Sequence, residues 1–306
     1  MSRWPSRPSR LSVRVSVMLP VVLSALTGCS PATLEPQPVS ALTAAQAAGY
    51  PSTPVAAATS ASPVATPSRS VVATPTTRRT AAAHPLAGKV IVLDPGHNGR
   101  NGAHPEVISK LVDIGNGRKT CDTTGTQTNA GYAEHAFTWD LTNRLAAVLR
   151  ARGATLILTR RSDAGVGPCI TERAAIGNRN HADVALSVHA DGGPATGHGF
   201  HVIAPARVGG NAPIVAPSRR LADQVRAAMR RAGEPYATYT GGRTGLTVRS
   251  DLGGLNLSRV PKVFVECANM RHRTDAAHLS SVAWRQRIAL ALADALTAHL
   301  LAEAGR

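Results

Sequence analysis

The sequence predicts an α/β domain: three layers, α/β/α, around a mostly parallel central sheet. Three observations carry this. Short unbroken apolar runs, Val90–Leu93, Val184–Val188 and Val263–Val265, read as strands buried on both faces, because a strand with one wet face alternates. Between them lie stretches with helical period, such as Ala136, Phe137, Leu141, Leu145, Val148 and Leu149, so strands and helices alternate. Finally, each apolar run ends in polar chemistry: Asp94-Pro95-Gly96-His97, then His189-Ala190-Asp191, then Glu266. Ligand sites in open α/β sheets lie outside the carboxyl ends of strands, so the repetition points to one shared site.

In chain order, the first strand is expected over 89–93. Residues 98–130, rich in glycine and short polar segments, read mostly as loop or hairpin, a long irregular connection with a strand near 107–112. A loop of that length inside a compact domain is commonly functional, and this one is expected to cover part of the groove. The helix over 132–150 stops before Gly153, a C-terminal signal. A strand follows at 155–158. Thr171 caps a helix over 172–180. Strands at 184–188 and 199–203, a helix at 217–231, a strand at 262–265 and a closing helix at 282–301 complete the order. Ile288, Leu292, Leu296 and Leu300 put an apolar stripe on that last helix.

The 306 residues carry a formal charge of +16. Arg3, Arg7, Arg10 and Arg14 precede a short apolar stretch, Val15–Leu26. A basic segment followed by a short apolar one is the pattern of an export signal, and it is too short for a comfortable permanent span. Removing residues 1–28 leaves +12. Leu26-Thr27-Gly28-Cys29 resembles the bacterial lipobox, which makes Cys29 the expected lipidated N-terminus and membrane anchor. Residues 29–84 are rich in Ala, Pro, Ser and Thr; such composition cannot bury a core and reads as a disordered tether. The folded domain is then 85–306. The basic balance favours polyanions, but no nucleic-acid signature accompanies it, and no nucleic-acid partner is expected. A monomer at the outer face of the membrane, or in the periplasm or wall, is expected.

Export permits disulfides. Cys121 and Cys169 lie in loops flanking the presumed site and are expected to pair, pinning the long loop. Cys267, inside VFVECA, reads as a small buried hydrophobe.

Catalytic zinc takes three protein ligands and leaves one position open. His97 and His189 follow two strands at equivalent places. Glu134, in the first turn of the helix after the long loop, is the best third ligand. His135 points about 100° away around the same helix. Glu266, ending a strand and semi-buried, is the expected general base, its pKa raised by burial; the structural alternative pairs it with Arg249. Asp94 is placed to orient or stiffen the first loop, or to bond a ligand histidine from behind. Arg160, Arg173, Asn178 and Arg179 read first as structural. Ser187 and Ser250 lie in no G-x-S-x-G elbow.

The segments VIVLDPGH, NAGYAEHAFTWDLTNRLAAVLRARGATLILTR, ERAAIGNRNHADVALSVHADGG and VPKVFVECANMRH, in this order, resemble the zinc-dependent N-acetylmuramoyl-L-alanine amidases, over residues 88 to 302. Asn98 stands where family members usually have glycine, which changes no ligand. The resemblance implies a zinc exopeptidase/amidase-like fold and one Zn2+ on His97, Glu134 and His189, with Glu266 catalytic. The implied substrate is peptidoglycan, cut between N-acetylmuramic acid and L-alanine. It also implies substrate-facing residues around Asn256, with Leu255 and Leu257 anchoring that loop. Two other readings share the residues: a zinc carboxypeptidase or aminopeptidase on wall peptides, and a catalytically silent wall-binding lipoprotein.

Overall fold

The structure, a computed structural model, describes residues 84–305. The expected export signal, Cys29 and all of the tether but His84 lie outside the described residues. Among the described residues no helix is long and apolar enough to cross a membrane.

Six strands form the central sheet: β1 (Val90–Pro95), β4 (Thr155–Leu158), β5 (Val184–Asp191), β6 (His201–Pro205), β7 (Leu246–Arg249) and β8 (Lys262–Asn269). Their order across the sheet is β4-β1-β5-β8-β6-β7. Every pairing is parallel except β6 with β8. The mostly parallel sheet is therefore as expected, with two reversed strands at one edge. A separate hairpin joins β2 (Leu111–Asp113) to β3 (Arg118–Thr120).

The helices are α1 (Pro105–Ile108), α2 (Glu134–Ala151), α3 (Ile170–Arg179), α4 (Ala212–Arg231), α5 (Gly253–Asn256), α6 (Arg273–Ser280) and α7 (Val282–Ala304). Side chains alternate across β1. Ile91 and Leu93 enter the larger core with Phe137, Leu141, Leu221, Ile288 and Leu292, while Val92 faces a smaller cluster with Ala185, Val260 and Ile176. That alternation follows from the two-residue period of a strand. Helices α2, α4 and α7 pack together over one face, and α3 lies on the other.

Several boundaries differ from the sequence reading, for physical reasons. The strand expected near 107–112 is a turn of helix over Pro105–Ile108, with proline at its start, followed by β2; proline's fixed φ suits a first helical turn. The strand expected at 199–203 begins only at His201. Helix α4 begins at Ala212 rather than Pro217 and carries that proline inside, at the loss of one ladder hydrogen bond. Strand β7 and helices α5 and α6 were not expected. Their four- and eight-residue lengths are too short for periodicity to register.

The order β1-β5-β8 puts three carboxyl ends side by side. Register completes the placement: Pro95 lies opposite Val188, and His189 opposite Glu266. Residues three and four strands apart in chain order thus meet at one edge.

Candidate active site

His97, Glu134 and His189 converge at this edge, each offering a ligand atom within 4.8 Å of the others. Glu134 opens α2, and its buried carboxylate lies between the two imidazoles. Its Oε2 is 3.2 Å from His97 Nε2, and its Oε1 is 3.0 Å from His189 Nδ1. Backbone donors fix the carboxylate: Thr126 N–H donates to Oε2 at 3.0 Å and Ala190 N–H to Oε1 at 3.2 Å. Two imidazole nitrogens and one carboxylate oxygen, convergent and held from behind, form a donor set suited to a borderline divalent ion.

Small residues allow the convergence. A Cβ on Gly96 would sit 2.2 Å from the His189 ring. One on Gly125, whose φ is +76°, would sit 2.8 Å from both Glu134 Oε2 and His97 Cδ2. The chain passes the trio there at a distance only glycine permits. Phe264 stacks on the other side of His189, centroids 5.1 Å apart and planes within 3°.

Glu266 lines the same pocket, of about 280 Å³, with His97, Glu134, His189, Asp191 and Arg249. Strand register explains this: His189, Glu266 and His201 form one row across β5, β8 and β6, and paired residues share a face. Burial pushes the Glu266 carboxyl well above the usual carboxylate range, and the nearby carboxylates of Glu134 and Asp191 add to it. Burial works the same way on Glu134, but there His97 and His189 outweigh it and hold the carboxyl low. Burial opposes charge on His97, yet Glu134 and Asp122 lift that imidazole well above its ordinary value. The site therefore sets its two glutamates apart, one held ionised and the other inclined to carry a proton.

A second, larger pocket of about 510 Å³ adjoins the trio on the side of the β2–β3 hairpin. Leu111, Ile170, Leu252 and Phe264 line it, and Lys119 of the hairpin and Asp251 stand along its wall and bond each other at 2.6 Å. The long loop lines part of both pockets, and a Cys121–Cys169 disulfide anchors it.

Asp94 and Asn256 behave differently from expectation, while Arg160, Arg173, Asn178, Arg179, Cys267 and His135 stand as expected. Asp94 orients no ligand histidine; it accepts from Thr159, Arg173, Ser187 and Lys262 in the fully buried layer beneath the site. The residue behind His97 is instead Asp122, which no sequence pattern marked. Asn256 does not face the groove. It is buried and donates to Ile114 O, Asn116 Oδ1 and Ser250 O, tying the hairpin loop to α5. Arg249 pairs with Asp251 at 2.7 Å rather than with Glu266. Arg160, Arg173 and Asn178 brace backbone carbonyls, and Arg179 pairs with Glu172 on the surface. Ser187 is sealed under Asp94, and Cys267 is a buried free thiol. His135 pairs with Asp163 at 2.8 Å, away from the trio.

The sheet edge, the trio and the neighbouring carboxylate define the class: an α/β/α domain with a candidate metal site at the carboxyl ends of its strands. Comparison with known proteins gives the family. Residues 91–298 match the model described as N-acetylmuramoyl-L-alanine amidase, and the chain belongs to that family. It is 44% identical over 218 residues to the N-acetylmuramoyl-L-alanine amidase Rv3717 of Mycobacterium tuberculosis, a match covering 70% of this chain and 88% of that one. Among solved structures, the amidase Ami1 of Mycobacterium smegmatis is 42% identical with a TM-score of 0.67, covering 71% of this chain and 99% of the other. The apo form of Ami1 from Mycobacterium abscessus gives 43% and 0.67, covering 70% and 100%.

Proposed function

We propose that this chain is a zinc-dependent amidase that hydrolyses the bond between N-acetylmuramic acid and L-alanine in peptidoglycan. The observation that carries the reading is the meeting of His97, Glu134 and His189 in one pocket with Glu266, whose carboxyl is pushed above the usual carboxylate range by burial. Family membership supplies the substrate class. His97, Glu134 and His189 would hold the ion. Zinc supplies Lewis acidity there, making water more acidic and stabilising negative charge on the amide oxygen.

The chain's own residues supply the rest. Glu266 takes the proton of the attacking water and returns it to the departing L-alanine nitrogen, roles for which a carboxyl of raised pKa is suited. Glu134 stays ionised between the two imidazoles, with one carboxylate oxygen toward each. Two pockets meet at the trio: one is lined by Leu111, Lys119 and Ile170, the other by Glu134, Asp191 and Glu266, and they share His97, His189, Leu252 and Phe264. The scissile bond can thus sit at the trio with a part of the substrate in each pocket.

An exported enzyme, tethered to the membrane through a lipidated Cys29 and acting as a monomer, would meet this polymer directly. Mass spectrometry of products from cross-linked peptidoglycan tests the activity. Stem peptides with a free L-alanine amino end, from the wild-type chain and not from Glu266→Gln, are expected. Products cut only within the stem peptide would identify a wall peptidase instead.

A further inference from the structure

His97 faces Glu134 through Nε2, and its other ring nitrogen is enclosed by oxygens. Nδ1 lies 3.1 Å from Thr123 O, 3.2 Å from Thr123 Oγ1 and 3.4 Å from Asp122 Oδ1. A carbonyl oxygen only accepts, so Nδ1 carries a hydrogen, and Nε2 is the nitrogen left to meet a cation.

These oxygens are themselves fixed. Thr123 N–H donates to Asp122 Oδ1 at 2.8 Å, and Asn101 Nδ2 donates to Thr123 O at 2.8 Å. Arg173 Nη2 donates to Asp122 Oδ2 at 3.0 Å, both side chains being 5% exposed. The same nitrogen reaches His97 O at 2.9 Å, so Arg173 holds the backbone of His97 while Asp122 faces its ring. That backbone needs holding: His97 has φ of +58°, a conformation that a residue with a side chain keeps only when its surroundings over-determine it. The disulfide closes the frame. Cys121 precedes Asp122, Cys169 precedes α3 with Arg173, and Ile170 N–H donates to Cys121 O at 2.7 Å.

We propose that Asp122 is a positioning residue, which, braced by Arg173 and the Cys121–Cys169 bond, fixes His97 in the tautomer and rotamer that present Nε2 to a metal ion. The inference rests on the reading of His97 as a ligand. Partners of this kind, bonded to the far nitrogen of a ligating histidine, change metal affinity by about 10–100-fold when lost.

The test is zinc affinity of the full chain, measured by chelator competition for wild type, Asp122→Ala, Asp122→Asn and His97→Ala. The Co2+ absorption spectrum and imidazole 15N spectra of the same proteins accompany it. Asp122→Ala is expected to weaken zinc binding about 10–100-fold. Asp122→Asn keeps an acceptor for Nδ1–H but pairs poorly with Arg173, and should lose less. In both, the Co2+ spectrum should shift and the His97 Nδ1–H resonance should exchange faster. Asp122→Asn guards against a loss of fold in the alanine variant. Wild-type affinity and spectra in both Asp122 variants, with zinc lost in His97→Ala, would show that Asp122 serves Arg173 alone and overturn the proposal. Wild-type affinity in His97→Ala would overturn the ligand reading itself, and the proposal with it.

Discussion

Lys262 Nζ lies 2.9 Å from Asp94 Oδ2, and both side chains are 1% exposed. Asp94 also accepts from Arg173 at 2.9 Å, so one buried carboxylate serves two buried cations drawn from β8 and α3. The layer under the site is thus ionic and, through Thr159 and Ser187, fully bonded. Removing one member leaves charge without a partner in a dry interior. Asp94→Ala should therefore cost about 3–5 kcal/mol, read from urea unfolding with Asp94→Asn alongside.

The same cluster sets an acid limit. Burial works against the Asp94 anion, but Lys262, Arg173 and Thr159 outweigh it and hold the carboxyl well below its ordinary value. A carboxyl lowered by folding stabilises the native state above its unfolded pKa of about 3.9, and that contribution fades as pH falls through the folded value. The stability gap between wild type and Asp94→Asn should be constant from pH 7 to about 5 and should narrow below about pH 4. A gap that widens on acidification would contradict the sign.

Gly125 offers a way to disturb the trio without touching a ligand. Its φ of +76° is strained for other residues, and a Cβ would press on Glu134 Oε2 and the His97 ring at 2.8 Å. Neither neighbour is a free chain end, since both are held by further bonds. Gly125→Ala is expected to lower zinc occupancy and activity together, by at least tenfold in affinity, an order typical of altered ligand orientation. Its helix content by circular dichroism should remain that of wild type, because the segment belongs to neither core cluster.

The parts of this site legible in the sequence were those that adjoin an apolar run or open a helix. His97 and His189 follow apolar runs, Glu134 opens a helix with a clear period, and Glu266 sits in the last buried strand. Topology then brought them together, as carboxyl ends of parallel strands do. Asp122 and Lys262 were not legible. Asp122 lies in an irregular loop whose position depends on a disulfide, and Lys262 is a lysine at the start of a strand, where solvent is the ordinary destination. Its burial depends on Asp94 standing two strands away across the sheet. Asn256 was misread because the hairpin it anchors consists of two three-residue strands, too short to leave a pattern.

The role proposed for Glu266 would separate chemistry from metal binding. It shares the pocket with the trio, yet it is not among the three residues whose ligand atoms converge. Glu266→Gln keeps the shape and removes the proposed base. Turnover should fall about 10²–10⁴-fold, with zinc content by elemental analysis unchanged. Loss of zinc in this variant would make Glu266 part of the metal's support rather than the proton carrier.

The disulfide is the last element to test. Cys121 and Cys169 are 48 residues apart in sequence, and closing a loop of that length corresponds to about 4 kcal/mol at 25 °C in the chain-entropy model. The Cys121→Ser, Cys169→Ser variant should lose about 2–4 kcal/mol in denaturant unfolding. Its kinetics should change as well, since the tethered segment carries Asp122, Thr123 and Gly125 past the trio and leads back to the hairpin beside the larger pocket. A change in KM larger than that in kcat would place the disulfide's influence on the groove. Equal losses in both zinc content and kcat would place it on His97. Kinetics identical to wild type at a temperature where the variant is folded would remove the loop from any role in turnover.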